Sequence, residues 1–236
     1  MQSRFKAKLI EIIKRTDIVE SFRFSPDKKI DFLPGQFSQL IFDRSKPANK
    51  ELNKYLSFSC PPSKDYIEVT KKISQSKFSK KLTDLKIGDE VLFKGPLGSC
   101  IYKDEYKKIG FLIGGIGITP VISIIEYIVD KKLDTDTVLI YSNRTESIAF
   151  KKELDNWQRS YPNIKIIYTV TDCQPKNKEC IPGKITKDLA GEVMSDLHKR
   201  IFFLFGPPKM INAMNDLCLE AGCKKEMINK ETFIGY

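Results

Sequence analysis

The chain has 236 residues, 41% apolar and 30% charged, enough for one large or two modest domains with a buried core. Its net charge of +10 suits an acidic partner or a phosphate-rich ligand. The lysines are scattered and not interleaved with aromatics, which excludes a single-strand nucleic-acid platform, and the uncharged run 109–125 is shorter than the ~20 residues of a membrane span.

The first 104 residues read as short strands. Phe5–Ile13, Ile18–Phe24, Gln36–Phe42, Tyr55–Ser59, Tyr66–Lys72 and Glu90–Gly95 are apolar, aromatic or β-branched, and turn signals such as Ser25-Pro-Asp, Pro34-Gly and Ile87-Gly-Asp separate them. With one short helix near Ser79–Leu85, they predict an antiparallel six-stranded β-barrel over 1–104. Residues 105–236 change period. Strands at Ile109–Ile113, Thr137–Ser142, Ile164–Val170 and Arg200–Phe205 alternate with helices at Val121–Lys131, Ser147–Gln158, Ile185–Gly191 and Lys209–Ala221. That alternation predicts an α/β domain on a parallel sheet, so the whole is a two-domain α+β chain.

The most informative stretch joins the first of these strands to its helix. After Ile109–Ile113 come Gly114, Gly115 and Gly117, then Thr119 as an expected N-cap and Pro120 as the first helical residue. Glycines let the backbone turn tightly and let a ligand approach it closely. The free N–H groups of the helix start make an anion site, and in nucleotide enzymes that anion is a pyrophosphate. The segments Ser142-Asn143-Arg144-Thr145 and Gly206-Pro207-Pro208 also follow strand ends, and ligands of parallel sheets bind beyond those carboxyl ends.

The six cysteines form no framework and no Cys-x-x-Cys pair, so reduced thiols are expected and no iron–sulfur site is. The first residues lack the apolar core of a signal peptide, and a cytoplasmic location is expected. His198, the only histidine, reads as a surface residue before a strand.

In order along the chain, four segments resemble the ferredoxin–NADP reductase superfamily. Lys54-Tyr55-Leu56-Ser57 is similar to its flavin motif Arg-x-Tyr-Ser. Ser57 matches the serine near flavin N5, Lys54 replaces the arginine that grips the flavin phosphate, and Leu56 replaces the aromatic that contacts the ring. Tyr55 would supply that aromatic only after a register shift. Ser74-Gln-Ser76-Lys77-Phe78-Ser79 resembles the loop that holds the flavin pyrophosphate, with Thr70 on the strand leading in and Ser79 also an N-cap. Gly115-x-Gly117-x-Thr119-Pro120 is similar to the Gly-x-Gly-x-x-Pro nucleotide turn, and Asn143-Arg144 falls where the adenosine ribose lies. Phe205-Gly206-Pro207-Pro208-Lys209-Met210 resembles Cys-Gly-Pro-x-x-Met, and the tail Glu231-Thr232-Phe233-Ile234-Gly235-Tyr236 resembles the closing Glu-x-Phe segment.

The resemblance implies FAD, with FMN the alternative, and NADPH, favoured over NADH by pairing of Arg144 with a 2′-phosphate. It implies hydride transfer from the nicotinamide to flavin N5, with Ser57 hydrogen-bonding near N5, Glu231 orienting the nicotinamide and Tyr236 covering a flavin face. Electrons would pass to an acidic carrier such as ferredoxin or flavodoxin. A flavin reductase or oxygenase reductase component, and a non-catalytic flavin- or nucleotide-binding protein, are the rival readings.

Overall fold

The computed structural model describes residues 3–233. The chain folds as two compact units, the first formed by residues up to Tyr102 together with Thr119–Asp130, the second by Lys103–Ile118 and the residues from Lys131 onward.

The first unit holds β1 (Ser3–Thr16), β2 (Val19–Pro26), β3 (Phe37–Ile41), β4 (Asn53–Ser57), β5 (Ile67–Lys72), α1 (Lys77–Thr83) and β6 (Glu90–Leu97). The sheet runs β4-β3-β6-β1-β2-β5, and all of its strand pairs are antiparallel. Its two edges meet where Phe58 bridges Val69 and Ser59 N–H donates to Glu68 O at 2.8 Å, which gives the expected six-stranded barrel. Alternation on β1 drives this closure. Phe5, Ala7 and Leu9 are buried while Arg4, Lys6 and Lys8 face solvent, the period of two that a half-buried strand requires. Phe5 stacks on Phe93 at 5.3 Å, and Phe24 meets the same ring edge-on at 5.2 Å.

A polar ring lies against the β2–β5 pair. Arg15 Nε donates to Ser21 Oγ (2.8 Å), Ser21 and Thr70 share a 2.7 Å bond, Thr70 and Ser59 share another, Ser59 Oγ donates to Glu68 (3.2 Å), and Arg15 Nη2 closes the circle on Glu68 at 3.0 Å. Arg23 holds the other Glu68 oxygen at 2.8 Å. Glu68 is only 2% exposed, and two guanidinium partners offset the desolvation of its charge.

In the second unit, β7 (Lys108–Gly114), β8 (Asp136–Asn143), β9 (Ile164–Val170), β10 (Cys180–Pro182), β11 (Ile201–Gly206) and β12 (Ile228–Thr232) form a sheet in the order β10-β9-β8-β7-β11-β12. Every pairing in it is parallel. The intervening helices are α2 (Ile118–Lys131), α3 (Lys151–Ser160), α4 (Lys187–Val193) and α5 (Pro208–Glu220). Residues 119–130 of α2 group with the barrel, where Ser123 Oγ donates to Cys60 O at 2.7 Å and Lys64 pairs with Glu126 at 2.8 Å and Asp130 at 3.1 Å. Arg200 ties the sheet's lower end, bidentate to Asp136 and bonded to Asp196. No helix is long and apolar enough to cross a membrane among the described residues.

Several expected boundaries move. A 3-10 turn at Gly115–Gly117 runs directly into α2 at Ile118, so Thr119 lies inside the helix and is not its N-cap, and Pro120 sits in the first turn where its missing N–H is tolerated. The cap of α1 is Ser76, whose Oγ accepts from Ser79 N–H at 3.2 Å; Ser79 is an interior helical residue and not the cap. Helix α3 starts at Lys151, later than Ser147, because Phe150 adopts a left-handed φ of 61° ahead of it. Strands β10 and β12 were not expected. The first is three residues long, and the second, Ile-Asn-Lys-Glu-Thr, alternates as a half-exposed edge with no apolar run.

Replacing Glu68 with alanine leaves two arginines facing one another without their acid. Unfolding in urea followed by circular dichroism should show a loss of about 3–5 kcal/mol, and a loss below about 1 kcal/mol would mean the ring is not a stability determinant.

Candidate functional site

The strand order of the second unit reverses between β7 and β11, and the carboxyl ends at such a reversal form the ligand crevice of an open parallel sheet. There the chain has almost no room for side chains. A Cβ at Gly117 would lie 2.3 Å from the Phe205 carbonyl oxygen, and one at Gly114 would lie 2.6 Å from the Met210 sulfur. Gly117 therefore lets the α2 start press against the end of β11, while Met210 occupies the space over Gly114. Gly115 differs from both. Its φ is +52°, and nothing lies within 4 Å of where its Cβ would stand. The turn thus presents bare backbone, held from below by Tyr141 Oη donating to Gly115 O at 3.0 Å.

Gly206, at φ +153°, ends β11, and Pro207 leads into α5 with Pro208 at its first position. Phe205, in place of the family cysteine, is fully buried. Beyond β12 the ladder continues, with Phe233 N–H donating to Gly206 O at 2.8 Å. Glu231 stands opposite Phe205 in the same pairing. Burial pushes its carboxyl up to about 7, so it is half protonated near neutrality. Tyr236 lies outside the described residues.

On the other flank, Asn143 ends β8, and its carbonyl accepts Thr171 N–H at 3.0 Å. Arg144 is largely exposed and pairs with Asp172 at 2.6 Å. Bonds from Thr171 and then Arg144 hold the Asp172 carboxyl below its ordinary range. An open cavity of about 540 Å³ adjoins this pair, lined by Thr171, Asp172, Cys173, Gln174 and Gly183 among others. Thr169, fully buried one turn of the pleat earlier, has a hydroxyl with no partner. Asp172 and Thr169 escaped the sequence reading; their signal is their place at the end of the apolar strand Ile164–Val170.

The flavin-motif residues all lie in the first unit, and they divide by face. Leu56 is 6% exposed and belongs to the barrel core, paired in register with Ser38. The β3–β4 pairing carries no register shift. Tyr55 is 60% exposed and meets Phe37 edge-on at 5.7 Å, so the outward aromatics here are Tyr55 and Phe37, while Leu56 faces inward. Ser57 is buried and pairs with Phe37. Lys54 is half-buried on the same strand. Lys71, 8% exposed, completes a cationic group with it. Burial first, then the charges of Lys54 and Lys72, lowers the Lys71 ammonium, an arrangement that an anionic phosphate would relieve.

The remaining loop residues are less open than expected. Thr70 spends its hydroxyl in the polar ring. Phe78 is in the barrel core, 5.3 Å from Phe42, and Ser79 is fully buried beside Ser74. Ser76 caps α1. Lys77 is exposed and pairs with Glu51 at 2.7 Å.

Residues 6–102 match the family described as an oxidoreductase FAD-binding domain, and residues 111–216 match an oxidoreductase NAD-binding domain. An NADH-cytochrome b5 reductase 1 of Dictyostelium discoideum is 31% identical over 82% of this chain and 69% of its own length. An NADH-cytochrome b5 reductase-like protein of Arabidopsis thaliana is 36% identical over 66% of this chain, which spans about half (49%) of that relative. Among solved structures, the cytochrome b5 reductase domain of Ulva prolifera nitrate reductase superposes with a TM-score of 0.84 at 25% identity, covering 97% of each chain. A cytochrome P450 reductase of Amycolatopsis shares the fold, with a TM-score of 0.85 at 18% identity over 98% of this chain and 70% of its own. With FAD- and NAD-binding domains in this order on a barrel and a parallel sheet, the chain belongs to the flavin-dependent NAD(P)H oxidoreductases of the ferredoxin reductase-like superfamily.

Proposed function

We propose that this protein is an NADH-dependent flavoprotein reductase whose electron acceptor is a cytochrome b5-type haem protein. The observation that carries the nucleotide part is Gly115, bare left-handed backbone at the strand-order reversal, with filled space at Gly114 and Gly117 on either side. Bound FAD would supply the chemistry, taking a hydride as an electron pair and releasing electrons singly.

The chain's own residues hold, orient and select. The amide groups of the Gly115–Gly117 turn face a nucleotide pyrophosphate. Lys54 and Lys71 would balance the flavin phosphates, Ser57 would offer a hydroxyl at the flavin edge, and the outward Tyr55–Phe37 pair would offer an aromatic face. Protonated Glu231 would donate a hydrogen bond to the nicotinamide carboxamide.

Preference for NADH over the expected NADPH rests on the Arg144–Asp172 pair. Asp172 already neutralises the arginine, and a second anion, the 2′-phosphate, would meet a fixed carboxylate. The acceptor is inferred from relatives that are NADH-cytochrome b5 reductases across most of this chain, in place of the ferredoxin or flavodoxin expected at first. Charge supports an acidic partner, since the barrel unit, residues 1–102 with 119–130, carries a net +6 of the chain's +10.

The test is an anaerobic titration of the FAD-loaded protein with NADH and NADPH, followed by addition of cytochrome b5 or ferredoxin. Flavin absorbance should bleach faster with NADH, and cytochrome b5 should then be reduced faster than ferredoxin. Asp172→Ser should shift the kcat/KM ratio toward NADPH by about tenfold, near 1.4 kcal/mol. Bleaching by neither nucleotide would overturn the reading.

Two substitutions in the glycine turn should behave differently. Gly115→Ala meets open space and costs about 1–2 kcal/mol for its left-handed backbone, but should raise the KM for NADH at least tenfold. Gly117→Ala forces a Cβ onto a carbonyl oxygen and should lower the melting temperature strongly. Equal effects on KM and stability in both variants would contradict this division.

Glu231 sets a pH dependence. Its raised value means that the neutral donor prevails below about 7 and is lost above it. The KM for NADH should therefore rise as pH passes through 7, and Glu231→Gln should flatten that profile. The same shift lowers stability between the ordinary carboxylate range and pH 7, since the folded chain there retains a proton that the unfolded chain has released.

A further inference from the structure

Helix α5 ends in a pair of main-chain bonds. Cys223 N–H donates to Cys218 O, and Gly222 N–H donates to Leu219 O, both at 3.0 Å, with Gly222 at φ +86°. This is the Schellman arrangement, which brings the side chains three residues inside the helix and two beyond its end into contact. That contact is usually apolar. Here both of its members are cysteines. The two thiols are hydrogen-bonded to one another, and the Cys223 thiol donates to Leu197 O at 3.5 Å.

We propose that Cys218 and Cys223 form a redox dithiol, a modification site oxidised to an intramolecular disulfide by low-molecular-weight disulfides of the glutathione class. The 223-to-218 main-chain bond keeps the residues at a separation of the order that a disulfide spans, about 4.4–6.8 Å between Cα atoms. Only four residues intervene, so ring closure needs no rearrangement of the sheet.

The reaction proceeds by exchange. The Cys223 thiol loses its proton and attacks one sulfur of oxidised glutathione, forming a mixed disulfide and expelling one glutathione thiolate, which takes up a proton. Cys218 then loses its proton and attacks the Cys223 sulfur, closing the protein disulfide and releasing the second glutathione. Two electrons leave the protein, and one disulfide becomes two thiols. Cys223 is the first nucleophile because it is 5% exposed against 0% for Cys218, and because the bond from Cys218 favours its thiolate. Burial raises both thiols, so exchange occurs from frayed openings of the last helical turn and is slow. The product ties α5 to the segment leading into β12, the strand that carries Glu231.

The native FAD-loaded protein would be incubated with oxidised glutathione, alkylated in denaturant and mapped by mass spectrometry. The expected product is a Cys218–Cys223 crosslink lighter by two hydrogens, with Cys60, Cys100 and Cys180 still alkylated. In Cys218→Ala, Cys223 should stop at the mixed glutathione disulfide. Circular dichroism of the oxidised protein should remain native. Modification confined to half-exposed Cys173, or a crosslink that forms only in denaturant, would overturn the proposal. The readout is independent of which nucleotide or acceptor the enzyme uses.

Discussion

The close approach of backbone to backbone at the start of α2 is the constraint on which the second unit depends. Gly117 lies so near the Phe205 carbonyl that no other residue fits, and this contact brings the ends of β7 and β11 together at the point where the strand order reverses. Met210 reinforces it by reaching from α5 to cover Gly114. What remains exposed at Gly115 is main chain. Hydrogen-bonding groups of the main chain are the natural partners of a pyrophosphate, so the packing requirement and the binding chemistry have the same cause.

The barrel meets a different constraint. Its edges must be joined, because open strand edges carry unpaired donors and acceptors. The Phe58–Val69 bridge joins them, and the polar ring around Glu68 lies beside that seam, linking β1, β2, β5 and the segment after β4. A carboxylate this deeply buried is tolerable only with both arginines in place. Thr70 is drawn into the same ring, so its hydroxyl contributes to closure of the barrel.

Both units carry a positive excess, +6 in the barrel unit and +4 in the sheet unit. The barrel unit carries most of the positive excess, and its buried Lys71 lies near the half-buried Lys54. In both units arginines are matched by acids, Arg15 and Arg23 by Glu68 in the barrel, and Arg144 by Asp172 and Arg200 by Asp136 in the sheet unit. A surface with a net positive charge attracts anions. Glu231 is the opposite case, a half-buried acid at the end of an edge strand whose burial raises its ionisation.

The sequence by itself determined the order of the two folds, because period two and βα alternation are local signals. It also determined the glycine turn, since that turn is contiguous in the chain. It did not reveal β12, whose Ile-Asn-Lys-Glu-Thr becomes a strand only by pairing with β11, nor the cap at Ser76, one of several adjacent serines. Tertiary structure alone decided that Leu56 faces the core and Tyr55 faces outward, since a strand's facing follows from its neighbours' register. It alone brought Asp172 to Arg144. Such contacts depend on which strand ends and helix ends come together in space, and no local pattern of residues encodes that.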